Sequence, residues 1–389
     1  MYKSAPEHHK RPEKSSEKRT LEAKAIRSEQ FKMAALKKMS SFAVLAALTS
    51  PIIYYAVDVH TNQELQANSI ITIEDTGNAL DPIHNDHALV GIDGFGSING
   101  NTLAKYFIPT IQPIEDGQIL AVGYNDAPLE PADIADKLIE KADDNGITSM
   151  SLIGESGGGP ITMEVQELIR ERSNIAVTAI YLLFAPNGIG GLQTEHQDQM
   201  NFVEAIKGVP GITYSTQLRA VAEMAFRSAD YSGGDGWQNI GNFFKTADHV
   251  SQSIKEKKLP GTWLMVDQAL QIAHADIKTR FENIKKSPNY EQRPTVVYVR
   301  TDNDPVVNGK KSSEEIGSYA NDAHVPFFDF NIPGVVHGQP QFNTEAYART
   351  FVAAKAQIQQ SIQAQQEHAS LHRVTGPTYT YNPTEKPKN

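Results

Sequence analysis

The sequence predicts an α/β fold: a mostly parallel sheet with helices on both faces and a helical cap inserted into it. Three observations point there. Apolar runs of strand length recur at 88–93, 118–123, 149–153, 176–184, 295–300 and 325–331, and most are continuous, as strands buried on both faces require. Helical stretches such as Pro131–Asp144 and Ile161–Arg172 lie between several of them. From about Glu195 to Tyr290 this rhythm stops, and helical segments follow one another without a convincing strand.

Taken in order, residues 1–38 carry eleven Lys/Arg against five Glu, a balance of +6 in a chain of net charge −10, so the remainder carries −16. That segment reads as a basic cytoplasmic tail, partly disordered. Residues 39–57 (MSSFAVLAALTSPIIYYAV) hold no charge, and as a helix they would reach roughly 28 Å, about the thickness of a bilayer core. Lys37 and Lys38 flank one end; Tyr54, Tyr55 and then Asp58 mark the other. The pattern predicts a single-pass signal anchor in the cell membrane, with the N-terminus cytoplasmic and the body extracytoplasmic. A cleaved signal peptide fits less well, because the preceding region is long and no small-x-small site follows. A buried amphipathic helix is the other reading.

Residues 58–85 read as a stalk leading into a first strand near Ser69–Glu74, and 86–194 as the first part of the core. The cap spans 195–290, with helical segments around 200–207, 216–228, 237–257 and 263–286. An insertion of this kind belongs over the carboxyl ends of the strands, where open α/β sheets place their sites. The core resumes over 291–369 and closes with a helix at Glu345–Glu367; 370–389 reads as a disordered tail. The 389 residues, 40% hydrophobic, suffice for one sizeable core with an inserted subdomain.

The most informative segment is Gly154-Glu155-Ser156-Gly157-Gly158, a G-x-S-x-G pattern between an apolar run and a helix. A serine on a tight strand-to-helix turn has strained backbone angles, and flanking side chains would clash with the strand and helix beside it. The turn exposes the hydroxyl, and the following helix offers free N–H groups to a developing oxyanion. The bland alternative is a glycine-rich turn with an incidental serine.

A serine needs a base, and the base an orienting carboxylate. The acid candidates follow the run 295–300, in Thr301-Asp302-Asn303-Asp304-Pro305-Val306-Val307. Asp304 is favoured over Asp302, which is suited to starting the turn. The base candidate, His337, follows the run 325–331 in a loop bracketed by Gly334 and Gly338. The other histidines lie in the tails, the stalk, the cap, or before strands; His324 is read as beginning one. For the oxyanion, the N–H of Gly157 is one candidate donor. The second is the N–H of Phe95, in Gly91-Ile92-Asp93-Gly94-Phe95-Gly96-Ser97, although an ordinary strand-end turn would look the same.

Several classes are disfavoured. No Cys removes disulfides and thiolate catalysis, the acidic body argues against nucleic acid as a partner, and neither H-E-x-x-H nor G-x-x-x-x-G-K-[ST] occurs. No cofactor or metal is expected.

Over about residues 69–367 the chain resembles the α/β-hydrolase family, through GESGG (154–158), GIDGFGS (91–97), TDNDPVV (301–307) and VVHG (335–338) in the family's order. The resemblance implies Ser156 as nucleophile, His337 as base, Asp304 as acid, and Gly157 and Phe95 as oxyanion donors. Where many members have His-Gly at the oxyanion loop, this chain has Asp93-Gly94. The donor is backbone and survives the change, but a carboxylate facing the site would oppose a negative intermediate. The expected activity is that of a membrane-anchored serine hydrolase acting on an ester, thioester or related acyl substrate, small molecule or lipid. An acyltransferase using the same residues, or a catalytically silent binding module of the same fold, are the alternatives. Phe202, Phe226, Trp237, Phe243 and Phe244 in the cap would line an acyl pocket or form the cap's own core.

Overall fold

The six apolar runs, and the first strand read near 69–74, become seven strands among the described residues: β1 (Thr72–Gly77), β2 (His87–Ile92), β3 (Gln118–Gly123), β4 (Ser149–Glu155), β5 (Ala176–Leu183), β6 (Thr295–Arg300) and β7 (Phe327–Asn331). In this computed structural model, which describes residues 52–207, 211–215, 252, 256, 260–286 and 293–372, they form one sheet in the order β1-β3-β2-β4-β5-β6-β7. Only β1 runs antiparallel, on the edge beside β3; every other pairing is parallel. From β2 the chain steps first to one side, to β3, and then to the other, to β4. The connections therefore diverge where β2 and β4 lie side by side, and their carboxyl ends frame a crevice.

Among the described residues the longer helices are α1 (Ile52–Ala67), α2 (Pro131–Asn145), α3 (Gly158–Arg172), α4 (Thr194–Ile206), α5 (Thr262–Ala273), α6 (Ile277–Lys286), α7 (Gly309–Asp322) and α8 (Thr344–His372). Helices α2, α3, α6 and α7 cover one face, where Leu138, Ile169, Phe281 and Ile316 join Val90, Leu152, Ile180 and Val296. A π-helical turn, Leu103–Phe107, its continuation Ile108–Ile111, and α8 cover the other. There Phe107, Tyr347 and Phe351 meet Leu89, Ile153, Tyr181 and Val297. Adjacent residues of one strand thus enter opposite cores, so both faces must be apolar and the strands read as unbroken runs.

Several elements depart from expectation. Residues 58–67, the start of the segment read as a stalk, are helical: Asn62 Nδ2 donates to the Tyr214 carbonyl at 2.5 Å and the Tyr214 hydroxyl to Gln66 Oε1 at 2.7 Å. The first strand starts at Thr72, three residues later than read. The single cap helix expected over 263–286 is two, because Asp276 accepts from both Thr279 N and Thr279 Oγ1 and starts a new helix. His324 does not begin a strand; it adopts φ 54° in the turn, and β7 starts only after Pro326. Helix α8 runs to His372, past residue 369.

The expected anchor lies mostly in 39–51, outside the described residues, and 52–57 form the start of α1. No described helix is long and apolar enough to cross a membrane. The cap segments 216–228 and 237–250, the side chains of Phe202, Phe226, Trp237, Phe243 and Phe244, and 373–389 also lie outside the described residues.

Candidate active site

Ser156 follows β4 at the crevice between β2 and β4, with φ 51°, a left-handed backbone rare for any residue but glycine. Its N–H is tied to the Leu183 carbonyl at 2.8 Å, and its own carbonyl accepts from Gly159 N at 3.0 Å. The neighbouring glycines are required by contact. A Cβ on Gly154 would lie 2.4 Å from Thr162 Oγ1, one on Gly158 2.2 Å from the Ile92 carbonyl, and one on Gly94 2.5 Å from the Glu155 carbonyl.

The hydroxyl Oγ of Ser156 lies 2.9 Å from His337 Nε2, and His337 Nδ1 lies 2.7 Å from Asp304 Oδ2. Asp304 stands beyond β6 and His337 beyond β7, so the three side chains meet although Ser156 and His337 are 181 residues apart. Asp304 is 4% exposed, and its second oxygen accepts the N–H groups of Val306 and Val307 at 2.8 and 2.9 Å. The turn that buries this carboxylate also fixes its direction. The His337 loop turns at Gly334 (φ 78°) and Gly338 (φ 67°), and the imidazole lies 5.6 Å from the Phe184 ring. Asp302 is elsewhere: exposed, accepting from Asn331 Nδ2 at 2.6 Å. Of the other histidines, His87 is buried on β2 against Ser149 Oγ, with burial lowering its pKa to about 4, and His274 pairs with Glu204.

The N–H groups of Phe95 and Gly157 donate to no protein group among the described residues. They stand close together, since a Cβ on Gly157 would be 3.3 Å from Phe95 N. Two neighbouring free amides beside the Ser156 hydroxyl can receive one oxyanion.

Asp93 does not present a free carboxylate to solvent. It is 7% exposed, Oδ1 accepts the Gly94 N–H at 2.8 Å, and its charge acts on the carboxyl of Glu155, itself 2% exposed. Burial pushes both pKa values up, Glu155 furthest, with the Asp93 charge adding to it. Burial thus favours the neutral form of both carboxyls, so the pair carries less negative charge than its residues suggest. Glu155 went unnoticed in the sequence because it fills the variable position of the motif.

Described residues of α4 and α5 pack beside this centre. Leu192, Met200, Val203, Val266, Ala269, Ile272 and Val307 form an apolar cluster, with Phe95 and Val306 packed against it. Ile272 reaches Gly157, its Cδ1 2.9 Å from where a Gly157 Cβ would stand. No group of three or more His, Asp or Glu among the described residues is placed to hold a metal ion.

A mostly parallel sheet with an antiparallel edge strand, an elbow serine at its crevice, and an acid and histidine after two later strands define the α/β-hydrolase fold. Solved structures similar to this chain include an esterase from Exiguobacterium antarcticum (14% identity, TM-score 0.45, covering 74% of this chain and 95% of that one). A carboxylesterase from Nitrososphaera gargenis (15%, 0.43, 74% and 95%) and a proline iminopeptidase from Mycobacterium smegmatis (15%, 0.41, 75% and 95%) are also similar. No family model and no curated protein matches the sequence. Chemistry and substrate must therefore be read from the site.

Proposed function

We propose that the protein is a serine hydrolase that cleaves an ester, thioester or related acyl substrate through an acyl-enzyme. The observation that carries this reading is the unbroken relay from Asp304 Oδ2 through His337 to Ser156 Oγ, at 2.7 and 2.9 Å. His337 Nε2 takes the hydroxyl proton as Oγ attacks the acyl carbon. The carbonyl oxygen, now negative, accepts the N–H groups of Phe95 and Gly157. Asp304 holds the imidazole by Nδ1 and steadies the imidazolium. That proton then passes to the departing alcohol or thiol, leaving the acyl group on Ser156. Water, deprotonated by the same histidine, attacks the ester and returns the serine with a carboxylic acid. The apolar cap cluster beside Phe95 and Ile272 suits an apolar acyl chain.

Hydrolysis of p-nitrophenyl acetate and butyrate is the test. The wild-type chain turns both over, and Ser156→Ala and His337→Ala each lose at least about 10³-fold in kcat with the fold retained. Equal rates in wild type and Ser156→Ala would contradict the reading.

The anchor is proposed with it, supported by the uncharged stretch 39–57 behind a tail of charge +6. Full-length protein is expected in the membrane fraction, released by detergent and not by salt. Recovery in the soluble fraction would remove the anchor and leave the enzyme reading intact.

A further inference from the structure

The loop after β2 offers four consecutive amides, and three of them are already used. Gly94 N donates to Asp93 Oδ1 at 2.8 Å, Gly96 N to Gln268 Oε1 at 2.8 Å, and Ser97 N to the Gly94 carbonyl at 3.2 Å. Phe95 N alone is left over. Gln268 makes a second bond with the same loop, its Nε2 donating to the Ser97 carbonyl at 2.8 Å. It is 1% exposed and sits on α5, four residues after Leu264 and four before Ile272, on the stripe the helix buries. A buried primary amide that spends both ends on the backbone of one distant loop fixes where that loop stands and which amide it leaves free. The same helix is tied to the core at its start, with Trp263 Nε1 donating to the Asp126 carbonyl at 2.7 Å and Gly261 N to Asp126 Oδ1 at 2.6 Å.

We infer that Gln268, contributed by the cap, is a positioning residue for the oxyanion site, holding the Gly96–Ser97 backbone so that the Phe95 N–H points at the substrate oxygen. This inference rests on the serine-hydrolase reading above and assigns the cap a part in transition-state stabilisation besides covering the substrate. Its consequence falls on kcat, because the Phe95 N–H tightens on the oxygen as charge develops.

The experiment compares wild type, Gln268→Met, which keeps the volume and removes both bonds, and Gln268→Glu, which keeps an acceptor for Gly96 N. For each, kcat and KM for p-nitrophenyl butyrate are measured beside the Ki of butylboronic acid, whose tetrahedral adduct on Ser156 places a hydroxyl in the oxyanion site. Gln268→Met is expected to lose roughly 10- to 100-fold in kcat with KM within about twofold, and Ki to rise in proportion to the loss in kcat/KM. Gln268→Glu is expected to recover part of the loss. A residue that served folding alone would lower the active fraction and leave Ki unchanged, which would overturn the inference. So would an unaltered kcat in Gln268→Met while wild type is active. A wild type that neither hydrolyses the ester nor binds the boronate would instead sink the hydrolase reading, and this inference with it.

Discussion

Asp304 and His337 are joined by one oxygen of the carboxylate, Oδ2, at 2.7 Å, while the other, Oδ1, is committed to the N–H groups of Val306 and Val307. Neither oxygen is free to exchange roles. In Asp304→Asn the amide group must face either the two backbone donors or His337 Nδ1 with its own N–H. Whichever it chooses, one contact becomes donor against donor or the imidazole takes the wrong tautomer. Asp304→Asn is expected to lower kcat by about 10³- to 10⁴-fold. Asp302→Asn, two residues away but exposed and bonded only to Asn331 Nδ2, should stay within about twofold. Ester hydrolysis by the two variants compares them directly, and equal losses would contradict the assignment.

Gly94 and Gly96 lie two residues apart in the oxyanion loop and should respond differently to the same substitution. A Cβ on Gly94 would be 2.8 Å from Gly157 N and 3.0 Å from Ser156 Cβ, so Gly94→Ala must push the loop off the elbow. A loss of at least about 100-fold in kcat is expected, since misplacement near 1 Å costs that much. Gly96 has φ 86° and open space around its missing Cβ. Gly96→Ala should therefore cost about 1 kcal/mol in stability and little in turnover. Urea unfolding together with ester hydrolysis separates the two effects.

The Glu115 carboxyl is buried with neither oxygen at hydrogen-bond distance from a partner, and burial raises its pKa from 4.5 to about 7 against some relief from Ser151. The folded state thus holds this proton more tightly than the unfolded chain. Its contribution is fully present below pH 4.5 and is lost as pH rises toward 7, by about 3 kcal/mol. His87 acts in the opposite sense: its pKa is lowered from 6.5 to about 4, so stability is lost as pH falls through that window. The two nearly cancel in wild type. Glu115→Gln removes one of them, and its stability relative to wild type should grow by about 3 kcal/mol between pH 4.5 and 8. A difference that stays constant with pH would contradict the burial argument.

How much of this was legible in the chain follows from where the signals are local. Strands β2 to β6 stand out because both cores draw on the same strand, leaving continuous runs such as Ala176–Leu183. Ser156, His337 and Asp304 stand out because each follows such a run and two are bracketed by glycines. What depends on contacts between distant segments does not show. The Asp93–Glu155 pair brings together the ends of β2 and β4, and Gln268 acts on a loop 171 and 172 residues away. The one local trace of Gln268 is a glutamine interrupting the apolar stripe between Leu264 and Ile272. The second half of α1 was missed for a similar reason: His60–Ala67 is polar and is held by Asn62 and Gln66 bonding to Tyr214, which no periodicity in the segment foretells.

The central claim is that Ser156 is an activated nucleophile. Its most direct measurement is the reaction of the full-length protein with a fluorophosphonate, read by intact mass and by locating the adduct in a digest. One phosphonyl group is expected, on the peptide containing Ser156, with no labelling of Ser156→Ala and at least about 10³-fold slower labelling of His337→Ala. A folded wild-type protein that stays unlabelled, or that carries the adduct on another residue, would contradict it.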